Sequence, residues 1–297
     1  MTDGLTPAAA WLEAVRPKTL GAAVAPVGIG TAMAFSHGGM HLPVALCALL
    51  GAVLIQIATN FTNDYFDYLK GVDTAERKGP PRATQSGLVK PIHVLRAGLV
   101  TYLLVFLPGT YIVWRGGWPF IVIGIFSIVS GILYTAGPYP LGYTGLADLF
   151  VLVFFGPVAL VGTYYLQTLE VRIEPFVASL APGLLSVALL TVNNTRDVDE
   201  DRKAGKKTLA VRFGRGFARC EYLICVVIAC LGVPSYFYIR EGNLWFMAAP
   251  AVLVFLAAPA IRTVFTRIEG PALNRALAQT GALLLLFTIL FSIGWIL

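Results

Sequence analysis

The chain has 297 residues, 57% of them hydrophobic and only 13% charged, with a formal net charge of +6. A water-soluble fold of this length would have too little polar material to cover its core, so the composition excludes an ordinary soluble enzyme and points to a lipid bilayer. The positive balance does not signal nucleic-acid binding, because Lys and Arg are spread over connections that would lie beside an anionic leaflet.

Residues 1–19, MTDGLTPAAAWLEAVRPKT, carry Asp3, Glu13, Arg16 and Lys18 and no continuous apolar run. They predict a short amphipathic lead-in and do not read as a cleaved signal peptide. Apolar runs long enough to cross ~30 Å of hydrocarbon as helices follow. They cover about 20–36, 42–62, 92–114, 118–134, 146–168, 176–194, 219–239, 244–262 and 277–297. The expectation is an all-α polytopic membrane protein of about nine spans in a single domain, 1–297. Most connections are short, such as 36–41, 115–117 and 240–243, as antiparallel membrane helices require. With the N-terminus inside, all Lys and Arg except Arg115, Arg172 and Arg240 fall on its side. That bias marks the cytoplasmic side and predicts a multi-pass protein of the inner (cytoplasmic) membrane. Cys47, Cys220, Cys225 and Cys230 form no CxxC pair and read as small packing residues, while His37, His41 and His93 read as interface residues.

Two connections, 64–90 and 195–219, are long and charged. Each is entered through a polar cluster at the end of an apolar stretch. The first is Asn60-Phe-Thr-Asn63-Asp64-Tyr-Phe-Asp67, continuing to Asp73; the second is Asn193-Asn194-Thr-Arg196-Asp197-Val-Asp199-Glu-Asp201. A carboxylate beside hydrocarbon costs about 2.5–3.5 kcal/mol on insertion scales, so two such clusters imply a charged ligand or a metal. Helical positions four apart differ by only ~40° in azimuth. Asn193, Asp197 and Asp201 therefore share one face, and Asn60 with Asp64 and Asn63 with Asp67 repeat the relation. Asp73 lies beyond Gly71 and approaches from the loop.

Oxygen-only ligands select a hard ion such as Mg²⁺, which takes one or two carboxylates and completes its shell with waters and phosphate oxygens. The two clusters thus predict one divided metal–diphosphate site, with Asp64, Asp67, Asp73, Asp197 and Asp201 as metal ligands and Asn63 and Asn193 on the substrate. Basic residues follow each cluster: Arg77, Lys78 and Arg82 after the first, Arg202, Lys203, Lys206 and Lys207 after the second. They suit phosphate oxygens, and they equally serve as topology signals.

Asn-Asp-x-x-Asp with a further Asp, the second Asn-x-x-x-Asp-x-x-x-Asp and the nine expected helices resemble the UbiA superfamily of intramembrane aromatic prenyltransferases over nearly the whole chain. The strings NDYFDYLKGVDTAERKGPPRATQSG at 63–87, LYTAGPYPLGYTGLADLFVLVFFGPVA at 133–159 and NNTRDVDEDRKAGKKTLAVRFG at 193–214 are similar to the bacterial 1,4-dihydroxy-2-naphthoate polyprenyltransferase branch. So is Arg-Pro-Lys-Thr-Leu at 16–20, which brings Lys18 into the substrate-binding set. The interval from Asp67 to Asp73 departs from the DxxxD of the simplest superfamily pattern.

The resemblance implies a UbiA-type helical bundle with a cytoplasmic-side active site, a Mg²⁺ cofactor, and a polyprenyl diphosphate and 1,4-dihydroxy-2-naphthoate as substrates. Diphosphate and CO₂ would leave, giving demethylmenaquinol for menaquinone biosynthesis. It implies Asp67 and Asp197 as catalytic carboxylates. Tyr134, in the LYTAGP string, would shield an allylic cation through its ring face, with Phe61, Tyr65, Phe66 and Tyr68 as further candidates. Asp148 either orients or deprotonates the naphthol or caps a helix N-terminus. Pro26, Pro108, Pro157, Pro182 and Pro234 would kink their helices and leave gaps for an isoprenoid tail. Two alternatives stay open: another acceptor such as 4-hydroxybenzoate, and a cation-coupled transporter, which would place its acids near the bilayer midplane. Oligomeric state and tail length are not encoded in these patterns.

Overall fold

Proline opens most of the helices, where its missing N–H costs no hydrogen bond and its fixed φ suits the first turn. In the computed structural model, which describes residues 6–72, 78–79 and 82–297, α1 (Pro7–Val15) and α2 (Pro17–Ser36) are separated by Arg16 in the left-handed region. α3 (Leu42–Leu69), α4 (Pro91–Gly116) and α5 (Pro119–Leu133) follow. A short turn, α6 (Leu141–Thr144), precedes α7 (Ala147–Thr168) and α8 (Ile173–Lys203). The chain finishes with α9 (Leu209–Glu241), α10 (Trp245–Thr266) and α11 (Gly270–Ile296).

Among the described residues, eight helical stretches are long and apolar enough to cross a membrane, and the shorter α5 accounts for the remaining expected span. α8 runs through the centre, its apolar window largely covered by neighbours. It packs against α9, α11 and α7, and Ile29, Leu160, Leu185, Tyr222, Leu253 and Phe287 from six helices meet in one buried cluster around it. α3 and α4 pack on each other to one side, and α5, with no fully buried side chain, lies loosely against them. The expected break at Pro157 is present: Gly156 leaves the helical region and a π-turn spans Phe154–Val158. A second π-turn, Ile228–Gly232, precedes Pro234, and Pro26, Pro108 and Pro182 sit inside unbroken helices.

The stretches 64–90 and 195–219 are not loops throughout. α3 continues to Leu69 and α8 to Lys203, so both clusters ride on the last turns of spanning helices. Only 204–208 then separates α8 from α9. The four-residue spacing of the acids already demanded helix; their charge made the segments resemble connections. Both helices end in the same device. Gly71 and Gly205 take φ of 66° and 73°, and the following amides, of Val72 and Lys206, donate to the carbonyls of Asp67 and Asp201 at 3.0 and 2.9 Å. This is a Schellman turn at each acidic wall. At the second it folds Lys206 back over its own cluster.

Candidate active site

Asn60, Asn63 and Asn193 line the polar end of a cavity of about 810 Å³, together with Arg16, Thr19 and Tyr134. Beyond this end the walls, from α2, α3, α4, α5, α7 and α8, are largely apolar. Asn63 accepts a 2.9 Å hydrogen bond from Thr135, and the Asn60 amide donates to the Val15 carbonyl at 2.9 Å, tying α1 to α3. One helical turn past Asn63 and two past Asn193, away from the apolar cavity, stand Asp67 and Asp201.

These two carboxylates are where the halves of the site meet. The Lys206 ammonium lies 4.0 Å from Asp67 and 3.4 Å from Asp201, both almost fully buried. Asp67 also receives Arg82 at 3.3 Å and the Tyr143 hydroxyl at 2.8 Å. The ammoniums of Lys70 and Lys206 lie 4.7 and 4.8 Å from the centre of the Tyr143 ring, within cation–π range. Lys70 in turn donates to the carbonyls of Thr135 and Gly137 at 2.6 and 3.3 Å, pinning the α5–α6 connection over the acids. Desolvation lowers the Lys70 pKa; Asp67 opposes that shift and Lys206 adds to it. Lys70 and Tyr143 escaped the sequence reading, although Tyr143 sits inside the GPYPLGYTG string and Lys70 directly follows the first cluster.

The remaining predicted residues divide. Asp197 is gripped by its neighbour Arg196 through two bonds of 2.6 and 2.7 Å. Asp64, expected as a metal ligand, is fully buried and spends its oxygens elsewhere: it accepts from the Ala83 amide at 3.1 Å and from the Thr84 hydroxyl. Lys78 reaches Asp199 at 3.3 Å, and its amide donates to Glu200 at 3.0 Å. Arg202, Lys203 and Lys207 are exposed; the Lys207 amide holds the Tyr143 carbonyl at 2.8 Å. Lys18 is exposed on α2, and Arg16 from the same string lines the cavity in its stead. Asp73 and Arg77 lie outside the described residues.

Tyr134 lines the cavity, whereas Phe61 packs edge-on against Trp11 with ring centres 5.7 Å apart. Tyr65, Phe66 and Tyr68 do not line it. Asp148 is buried in the first turn of α7 outside the cavity wall; its oxygens accept no hydrogen bond from another described residue and make no capping bond.

Asp67, Asp197 and Asp201 offer carboxylate oxygens alone, a donor set that fits a hard divalent cation. Among the described residues no three of Asp, Glu, His and Cys are grouped closely enough to enclose a metal unaided. An ion held here must therefore complete its shell with waters or ligand oxygens, as Mg²⁺ usually does.

The sequence matches the UbiA prenyltransferase family over residues 23–286. It is 38% identical over 299 residues to the 1,4-dihydroxy-2-naphthoate octaprenyltransferase of Escherichia coli (strain K12), covering 96% of this chain and 94% of that protein. The Mycobacterium tuberculosis (strain ATCC 25618 / H37Rv) protein of the same name is 37% identical, with 95% and 94% covered. The Homo sapiens UbiA prenyltransferase domain-containing protein 1 is 30% identical, with 97% and 84% covered. Among solved structures, a UbiA homolog from Archaeoglobus fulgidus bound to GPP and Mg²⁺ superposes with a TM-score of 0.69 at 16% identity, covering 97% of this chain and 99% of that one.

Proposed function

The chain belongs to the UbiA prenyltransferase family, and on that premise we propose that it transfers a polyprenyl chain from its diphosphate to 1,4-dihydroxy-2-naphthoate. Diphosphate and CO₂ are released and demethylmenaquinol is formed for menaquinone biosynthesis. The observation that carries this is the meeting of Asp67 and Asp201 on one ammonium, one and two helical turns beyond the asparagines that end a large apolar cavity. Asp67, Asp197 and Asp201 lie in the last turns of α3 and α8, an arrangement that favours an enzyme over a cation-coupled transporter.

Asp67, Asp197 and Asp201 would hold Mg²⁺, and Asp73, outside the described residues, is proposed as a further ligand from its place in the sequence motif. Bound there, Mg²⁺ would supply positive charge to offset what develops on the departing diphosphate. Arg82, Lys206 and Lys70, clustered around Asp67, donate to the phosphate oxygens, and Arg77, outside the described residues, is proposed for the same role from its sequence position. Asp64 anchors residues 82–86 and is not a ligand. Asn63 and Asn193 mark the boundary where the diphosphate gives way to the first isoprene unit. Lys18, Lys78, Arg202, Lys203 and Lys207 set a positive field that draws the anionic substrate in.

Ionisation of the allylic C–O bond leaves a cation that apolar walls keep from water and the Tyr134 ring stabilises. The naphthoate carbon bearing the carboxylate attacks; the bond to CO₂ then breaks, and its electron pair returns to the ring. Asp148, which makes no capping bond, is proposed to orient or deprotonate the naphthol. The acid-bearing ends face the cytoplasm, and the membrane is the inner one.

Protein in lipid nanodiscs, supplied with Mg²⁺, octaprenyl diphosphate and either dihydroxynaphthoate or 4-hydroxybenzoate, tests this by prenylated product and released CO₂. Product and CO₂ are expected with the naphthoate alone. Product with hydroxybenzoate alone would contradict the acceptor assignment.

A further inference from the structure

One polar side chain on α11 touches both halves of the site. Asn274 accepts a 2.6 Å hydrogen bond from Arg196, the buried guanidinium that grips Asp197, and its amide donates to the Lys78 carbonyl at 3.3 Å. Lys78 docks the connection after the first cluster onto α8: its amide binds Glu200 and its ammonium binds Asp199. The same residue rests on the start of α11, where a Cβ added at Gly270 would lie 2.9 Å from the Lys78 carbonyl oxygen. One side amide thus satisfies a donor from the second wall and an acceptor from the first connection, across separations of 78 and 196 residues.

We infer that Asn274 is a positioning residue that sets the second acidic wall and the first connection at the spacing a metal–diphosphate needs. It touches no reacting atom. Arg196 has two demands on it, Asp197 and Asn274. Losing Asn274 frees the guanidinium to rotate with Asp197, and releases the Lys78 backbone at the same stroke. Leu at 274 matches Asn in size and removes both bonds. Asp keeps the acceptor for Arg196 but presents an oxygen to the Lys78 carbonyl. Gly270→Ala leaves Arg196 untouched and displaces Lys78 alone.

The inference rests on the proposed metal–diphosphate site, and calorimetry separates the two. Inorganic diphosphate with Mg²⁺ is titrated into the nanodisc-held protein and its three variants, with thermal melting as the check on folding. Partners that orient a metal's ligands commonly contribute 10–100-fold in affinity. Asn274→Leu is therefore expected to weaken Mg²⁺–diphosphate binding about 10-fold or more, with Asn274→Asp and Gly270→Ala intermediate. In turnover assays the KM for the polyprenyl diphosphate rises and the KM for the naphthoate stays put. Wild-type protein that fails to bind Mg²⁺–diphosphate would refute the site itself. Wild-type binding matched by Asn274→Leu or by a folded Gly270→Ala would overturn the inference alone. Should Asn274→Leu fail to fold, Gly270→Ala decides.

Discussion

Tyr143 gives the residue scale its sharpest case. Its hydroxyl donates to a buried carboxylate at 2.8 Å, while its ring lies beside two ammoniums. Removing only the hydroxyl deletes one hydrogen bond to a charged acceptor, worth about 1.5–3 kcal/mol. Tyr143→Phe should therefore lower kcat/KM for polyprenyl diphosphate by roughly 10- to 100-fold, leaving the KM for the aromatic acceptor unchanged; steady-state kinetics with each substrate varied reads this directly. The helical placement of Asp67, Asp197 and Asp201 was legible from spacing because the helix repeat is local. Tyr143 and Asn274 were not, because their partners lie 76 and 78 residues away in the chain, and only packing brings them there. Asp64 misled for the converse reason. Its position in the motif matches that of a ligand, yet a connection about 20 residues on, through Ala83 and Thr84, claims both oxygens.

At the scale of elements, the apolar spans were readable from length and hydropathy, but two helix ends were placed too early. Charge made the last turns of α3 and α8 look like connections, although Gly71 and Gly205 stood in the sequence as the true stop signals. These glycines do more than end a helix. Each Schellman turn fixes the carbonyl of a site aspartate, and the one at Gly205 sends Lys206 between the two walls. A Cβ at Gly205 meets nothing within 4 Å, so any cost of adding one is backbone strain. A left-handed conformation costs an ordinary residue about 1–2 kcal/mol. Gly205→Val should lower the melting temperature slightly and raise the KM for the diphosphate substrate several-fold. A melting curve paired with substrate titration would expose a purely structural effect, in which the KM would not move.

Across the whole molecule, composition pointed to the bilayer and the basic-residue bias predicted an orientation, but neither described the cavity. That space exists because α8 fills one side of the bundle tightly, whereas α5 packs loosely on α3 and α4. The apolar volume ends at three asparagines, and the carboxylates begin one or two turns beyond them, so apolar and acidic walls follow one another. Nothing in a linear pattern of hydrophobicity encodes that alignment.

If Asp67 and Asp201 serve one ligand together, a double-mutant cycle on Mg²⁺–diphosphate affinity reads their coupling. Asp67→Asn, Asp201→Asn and the pair would be compared with wild-type protein by calorimetry in nanodiscs. Groups sharing one site couple, whereas independent sites add. Each single substitution should weaken binding by about 10-fold or more, and the double variant should be weakened by clearly less than the product of the two. Losses that simply multiply would show two separate acidic clusters and contradict the account.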